Sequence, residues 1–374
     1  MQPVIVEALR SPIGTAGHAL AGVGAAELAA PVVAAVAERA ARTTGAGVSE
    51  VVLGNCMGPG GNVARVATLL AGLGDAVPAA TVDRQCASGL STIVSAARGM
   101  ESGVVLAGGL ESASTAPWRI VPPADGTAAV RYERAPFAPA ARDPDMGLAN
   151  DLYAERAGVG RREQDEYAAR SHRRAHATRQ AGGFDAELVS VAGVQRDERP
   201  RRGMTADRLG RLPPTFRDDG TVTAGNACGI NDGAAVVALV AGEAARGATG
   251  LRVVSSAVSA GDPTNPGQAL VPAARDALSR AGLAWDDIDV IELNEAFAGQ
   301  ILACCAELGI DPERVCPEGG ALGLGHPWGA SGAVLVVRLF SQLVRSGRGG
   351  VGLAAIAAGG GQGVALVVEA VGPS

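Results

Sequence analysis

No lysine occurs in this chain of 374 residues, so all 32 of its basic side chains are arginines. That excludes mechanisms built on a lysine: Schiff bases, a pyridoxal anchor and the Walker phosphate loop. Any phosphate contact must come from arginine or from backbone N–H groups. A basic excess is missing too, because 38 acidic residues leave a formal charge of −6, the opposite of a dedicated nucleic-acid binder. The six cysteines (Cys56, Cys86, Cys228, Cys304, Cys305, Cys316) form no CxxC pair, and the start, MQPVIVEALRSP, has no cationic region followed by an apolar stretch. A reduced, cytoplasmic protein is expected. Nor is there an unbroken apolar run of about 18 residues, since even the alanine-rich stretch 19–37 is interrupted by Gly22, Gly24, Glu27 and Pro31. No membrane span is expected.

Glycine, by contrast, is abundant, at 53 residues with 21 prolines. That is about twice the usual glycine share, yet the two together stay below the level that signals disorder. The glycine belongs in turns and close backbone contacts of a folded protein. The length suits two domain-sized halves, and short β-branched runs alternate with helical stretches: 4–8 then 25–41, 51–54 then 63–73, 79–82 then 87–100, and 104–107. The scheme recurs at 251–258, helix 272–281, 290–293, helix 298–308, 314–316, helix 331–346 and 352–357. This predicts an α/β protein with helices covering a largely parallel sheet. SEVVLGN ends at Asn55 and DVIELN at Asn294; 31 residues separate Asn55 from Cys86 and 32 separate Asn294 from His326. The halves thus look duplicated and deliver Cys86 and His326 to related strand ends, where open α/β sheets collect ligands. A first half over 1–113, an arginine- and proline-rich insertion over 114–219, a return to the first half over 220–250 and a second half over 251–374 are expected.

Cys86 precedes a helix with Leu90, Ile93, Val94 and Ala97 on one face. At that helix N-terminus the dipole and unpaired N–H groups favour a thiolate and an oxyanion; a buried structural cysteine is the plain alternative. His326 lies in the glycine-dense EGGALGLGHPWGASGA, where backbone and substrate can approach an imidazole, and is the best base candidate among four histidines. His18 falls in a loop, while His172 and His176, at metal-like spacing, sit among arginines on what reads as a solvated helix face. Asn294 and Glu295 leave an apolar strand and must find partners or do chemistry. GGGQG at 359–363 reads as a hairpin turn whose N–H groups could face a reacting carbonyl. Gly323, Leu324 and Gly325 are not completed to GxGxxG, so a nucleotide fingerprint is unsupported. Cys304 and Cys305 fill core, and the basic stretches 161–179 and 196–217 read as solvated surface.

These residues resemble the thiolase family. The resemblance runs over nearly the whole chain: VEALRSPIGT at 6–15, GGNVAR at 60–65, CASGL at 86–90, AGGLES at 107–112, TAGNACGINDGAA at 223–235, NEAFAGQ at 294–300, GGALGLGHPWGASG at 319–332, and GGGQG. It implies duplicated βαβαβαββ halves in a five-layered αβαβα core, a loop insertion covering coenzyme A, and a homodimer or homotetramer. It implies coenzyme A thioesters as substrates with no bound cofactor, Cys86 as the acyl-accepting nucleophile and His326 as its base. Asn294 would hold an oxyanion-stabilising water, and the N–H groups of Cys86 and Gly359 a second oxyanion hole. Coenzyme A would lie along Ala224 and Cys228, beside Met146 and Phe297, with Arg201 or Arg202 near its nucleotide. One departure stands out: Ala357 occupies the place of the family's second cysteine, which moves the α-carbon proton of the incoming acetyl group. Acylation of Cys86 should survive, whereas carbon–carbon bond formation is placed in question and an amine, alcohol, thiol or pre-activated carbon acceptor becomes an alternative. Cys228, where serine is common, can alter pantetheine contacts. A reading from a different class is a non-catalytic acyl-CoA-binding subunit supporting a partner enzyme.

Overall fold

The computed structural model describes residues 2–132, 134–241 and 247–372. Two related halves build the chain, a β-α-β-α-β-α-β-β unit and a second one in which the third strand is reduced to a single bridge. In the first, strands β1 (Val4–Arg10), β2 (Val48–Gly54), β3 (Ala79–Val82) and β4 (Val104–Ser112) are separated by helices Ala25–Thr44, Val63–Leu70 and Ser88–Gly99, and β5 (Asn231–Val240) follows the insertion. In the second, β6 (Gly250–Ala260), β7 (Val290–Leu293), β8 (Val351–Ala358) and β9 (Gln362–Val371) alternate with helices Leu270–Ala281, Ala298–Leu308 and Trp328–Phe340. The strand expected at 314–316 shrinks to one bridge between Ile291 and Val315. Pro312–Arg314 makes a 3-10 turn, and the Arg314 side chain is drawn onto Trp285 O and Ile288 O, both at 2.8 Å. The helix expected at 331–346 begins earlier, at Trp328, and beyond Phe340 loosens into a π turn over Ser341–Arg345.

Strand order is β7-β8-β9-β6-β1-β5-β4-β2-β3, so the halves repeat one order and meet where β1 pairs briefly with β6. Helices Ala25–Thr44 and Val63–Leu70 cover the outer face of the first half-sheet, and Leu270–Ala281 and Ala298–Leu308 that of the second. Helices Ser88–Gly99 and Trp328–Phe340 lie between the half-sheets, giving the five layers. With both faces covered, β4 and β5 are buried along their whole lengths. No helix among the described residues is long and apolar enough to cross a membrane.

The two central helices touch through backbone. A Cβ on Gly89 would stand 2.7 Å from Gly329 O, one on Gly332 2.6 Å from Leu90 N, and one on Gly109 would collide with Gly329 O. Glycine is spent here on approach between helices, as the composition suggests.

Helix Arg161–Gln180 corrects an expectation. One face is buried, with Gln164, Tyr167, Ala168, Arg170, Ser171 and His172 turned inward, and Arg170 stacks on Tyr167 at 4.2 Å while donating to Pro312 O at 2.7 Å. Arginine hides in this chain by pairing its fork with carbonyls and rings, so an arginine-rich helix need not be a solvated one. Arg10 does the same in the core, donating to Glu187 at 2.7 Å and to Asp197 at 2.6 and 2.9 Å. Arg338 shares Glu187 from the other side, and Phe184 stacks against both cations. First half, insertion and second half are clamped at this one cluster.

Gly332→Ala is expected to lower stability by about 1–3 kcal/mol through overpacking, read as a shift in the urea midpoint. Gly47→Ala, where an added Cβ meets nothing within 4 Å, should change it by less than about 0.5 kcal/mol.

Candidate active site

Cys86 stands between β3 and helix Ser88–Gly99, after a turn in which Gln85 adopts φ 49°. A non-glycine residue there costs about 1–3 kcal/mol and persists only when its surroundings over-determine it. Ser88 does so: its hydroxyl donates to Gln85 O at 2.6 Å and accepts from Arg84 N at 2.7 Å. The helix N-terminus was expected to favour a thiolate, and several features here oppose it. The Ala87 and Ser88 N–H groups are already spent on Arg84 O and Gln85 O, at 3.1 and 3.0 Å. Burial first, then the Cys228 thiol and the Glu111 carboxylate, push Cys86 well above the usual thiol range. These effects favour the thiol, although the side chain is only partly buried.

His326 is 2 % exposed in the turn before helix Trp328–Phe340. Gly325 makes that turn with φ 119°, and a Cβ on it would stand 2.8 Å from Asn231 Cγ. Asn231, opening β5, accepts from the His326 backbone N–H at 2.9 Å and donates to Gly14 O at 2.8 Å. The ring is held by a 2.6 Å hydrogen bond between Nδ1 and Ser331 Oγ, and Nε2 is buried without a partner. Burial pulls its pKa down to about 3, so the ring is neutral at neutral pH, with a nitrogen free to accept a proton. Glu111, at the end of β4, ties the start of helix Trp328–Phe340 to the loop after β2: it accepts from Gly329 N, Cys56 N and Met57 N, each at 3.1 Å, and from Asn55 Nδ2 at 2.9 Å.

Asn294 follows β7, with its N–H on Ala355 O at 3.0 Å, its side chain buried and its Oδ1 without a partner. Glu295 has a structural use: it accepts from Tyr167 OH at 2.9 Å, Ser171 Oγ at 2.6 Å and Leu322 N at 3.1 Å, tying the insertion to the loop that leads into His326. GGGQG is the β8–β9 turn, and Gly359 is buried where any side chain would strike the Phe137 ring of the insertion. Ala357 is half-buried opposite Gly363.

The TAGNACG segment is zipped to NEAF, because Ala227 bridges Phe297 and Cys228 N donates to Ala296 O at 2.9 Å. Cys228 is half-buried and Phe297 buried. Burial pushes the Cys228 thiol up to about 12 while the Arg199 guanidinium pulls it back. Met146 is half-buried at the start of helix Met146–Arg156, and Ala224, Arg201 and Arg202 are exposed. The fold therefore gathers Cys86, His326, Asn294, Cys228 and Phe297 at one set of strand ends and leaves Arg201 and Arg202 at the surface. His172, read as solvated, is 3 % exposed; desolvation, then Arg199 and Arg201, pull it down to about 4. No cluster of three metal-ligating side chains occurs among the described residues, and all six cysteines are free. Asn231, Ser331 and Glu111 were not singled out from the sequence. All three lay inside quoted motifs, GIND, GASG and AGGLES, but only the path of the turn brings Ser331 back to His326.

Comparison with known proteins agrees with this geometry. A family model of the thiolase N-terminal domain matches residues 3–243, and one of the thiolase C-terminal domain matches residues 248–370. An acetyl-CoA acetyltransferase of Escherichia coli (strain K12) is 41% identical over 389 residues, covering 98% of both chains. A β-ketoadipyl-CoA thiolase of Pseudomonas aeruginosa is 42% identical over 398 residues, again covering 98% of both. The crystal structure of the Bacillus anthracis acetyl-CoA acetyltransferase matches with a TM-score of 0.91 at 38% identity, covering 99% of both chains. With both domain models matched in order, relatives aligned from end to end and a cysteine and a histidine at paired helix starts, the chain belongs to the thiolase family of acyltransferases.

Proposed function

We propose that Cys86 takes an acyl group from a coenzyme A thioester and that His326 is the base that makes this possible. One observation carries the reading: a buried neutral imidazole, held at Nδ1 and free at Nε2, begins the helix that lies in backbone contact with the one behind Cys86. A thiol kept protonated by burial and an imidazole kept neutral by burial form a reactive pair without separated charge in the resting state. The Cys86 proton passes to His326 Nε2, and the thiolate sulfur bonds to the thioester carbonyl carbon. As the carbonyl re-forms, the carbon–sulfur bond to coenzyme A breaks, and the departing thiolate regains the proton from His326. The N–H groups of Cys86 and Gly359, and the Asn294 amide with a water, are assigned to the oxyanions that form on the way. The pantetheine arm is assigned to the groove along Ala224, Cys228, Met146 and Phe297, and the nucleotide to Arg201 and Arg202.

The relatives' names, acetyl-CoA acetyltransferase and β-ketoadipyl-CoA thiolase, support a carbon acceptor for the second half-reaction. An acetyl-CoA acceptor must lose an α-proton, and the Ala357 methyl cannot take it. A missing positioned base costs about 10²–10⁴ in rate, so carbon–carbon bond formation is the slow half of this enzyme's cycle. A homo-oligomer is supported by an exposed apolar hairpin, Arg119–Val121 against Val130–Tyr132, with Trp118 73% exposed beside it.

Incubation with radiolabelled acetyl-CoA should label Cys86, and Cys86→Ala should abolish the label; an unmodified cysteine under several acyl-CoAs would sink the enzyme reading. Ala357→Cys should raise condensation and α-proton exchange by about 10²–10⁴ while leaving the acylation rate within about twofold. Efficient exchange by the wild type would show that the alanine matters little. Since the pKa of His326 lies near 3, below the ordinary value of about 6.5, its ring should show no titration by NMR between about pH 5 and 9.

A further inference from the structure

Beside Ser331, the residue that holds His326 Nδ1, the structure has a small cavity. It has about 10 Å³ of space for a water centre, and its walls include Glu292, Asn294, Gly325, Ser331 and Arg338. That is about the room one water needs. Two lining residues contribute buried polar atoms without partners, Asn294 Oδ1 and Arg338 Nε. A third, Glu292, is 1 % exposed on β7, with Gln342 Nε2 donating to its Oε1 at 2.6 Å and the Cys316 thiol also against its carboxylate. The fourth, Ser331, carries the hydroxyl that holds His326 Nδ1 at 2.6 Å. Unsatisfied buried polar groups of both kinds around a water-sized space call for a bridging water.

We propose that Glu292 is a positioning residue for His326, acting through one cavity water and the Ser331 hydroxyl. His326 Nδ1–H donates to Ser331 Oγ, and Ser331 O–H donates to the water. Arg338 Nε–H donates to the water as well, and the water donates to Glu292 and to Asn294 Oδ1. Each group then has its partner, and the water makes two donations and two acceptances. The chain fixes the imidazole with its proton on Nδ1 and its lone pair on Nε2, and the carboxylate stabilises the imidazolium formed when Cys86 gives up its proton. Glu292 does not itself become protonated in the step. The inference rests on His326 being the base that activates Cys86.

Burial pushes Glu292 up to about 7, so its charge is present above neutrality and lost below it. The groups facing it are Arg338 and Gln342 from the helix behind, Glu318 from the preceding loop, and Cys316. Arg338 opposes the rise most, and it is itself neutralised by Glu187 and Glu318.

The test is the single-turnover rate of Cys86 acylation by acetyl-CoA against pH, in wild type, Glu292→Gln, Ser331→Ala and the double variant. Glu292→Gln keeps the shape and the contact with Gln342. It should lose about 10- to 100-fold at pH 8, as supporting partners of a reactive histidine typically do, and should lose the rise in rate near pH 7. Ser331→Ala should lose a similar factor, and the double variant little more, because both act through one path. Coenzyme A binding should be unchanged in all of them, a result that a general structural defect would not give. Nitrogen-15 NMR gives a readout independent of turnover: wild type should hold His326 as the Nδ1–H tautomer, and both single variants should shift it toward a mixture. An Nε2–H tautomer in wild type, a Glu292→Gln variant that keeps wild-type rate and pH profile, or multiplicative losses in the double variant would each overturn the proposal. A wild type with the stated tautomer that fails to acylate Cys86 would instead overturn the reading of His326 as base, and the catalytic part of this proposal with it.

Discussion

Two helices lie against each other here with no side chain between them. Gly89 faces Gly329 O and Gly332 faces Leu90 N, and the placing of the two helix starts depends on that approach. The first helix follows strand β3 and the second a glycine-rich turn, and each has its candidate reactive residue two positions before its first residue, Cys86 ahead of Ser88 and His326 ahead of Trp328. A methyl group at the crossing would push the helix starts apart, and proton transfer between thiol and imidazole tolerates little separation. The glycine-rich composition is therefore partly a requirement of this helix packing.

The surroundings hold this pair neutral. A cysteine at a helix N-terminus is often read as a ready thiolate, but dipole stabilisation is a matter of about 1–2 kcal/mol, whereas removing a thiolate from water costs several. At Cys86 burial wins, helped by Glu111 and Cys228. At His326 burial wins as well. Burial thus favours the uncharged forms of both groups. Charge is confined to places where it is paired, above all the Arg10–Glu187–Arg338 cluster, which locks the insertion against both halves and so holds the loop carrying His326 in position.

Much of the fold was legible in the amino-acid order. Strand runs, crossover helices, the duplication and the turn at GGGQG follow from periodicity and glycine placement, because those signals are local or repeat at fixed spacing. The misread elements share a cause. Arg314–Cys316 looked like a strand and is a single bridge, because Arg314 is captured by carbonyls 26 and 29 residues away in sequence. Helix Arg161–Gln180 looked solvated and is half-buried, because Tyr167 and the Pro312 carbonyl absorb Arg170. Neither partner is visible from the segment itself.

The same division holds for the site. The sequence alone determined that Cys86, Asn294 and His326 stand at strand or helix ends in glycine-rich surroundings, that no lysine can take part, and that Ala357 stands where its resemblance calls for a cysteine. Only the tertiary structure decided their surroundings: that Cys86 lies where burial raises its pKa, that Glu295 is held by three donors, and that Ser331 holds His326. Motifs record residues that are neighbours in the chain. Protonation and hydrogen bonding depend on what the other layers of the fold remove from water and place within about 3 Å, and those layers come from segments more than a hundred residues apart.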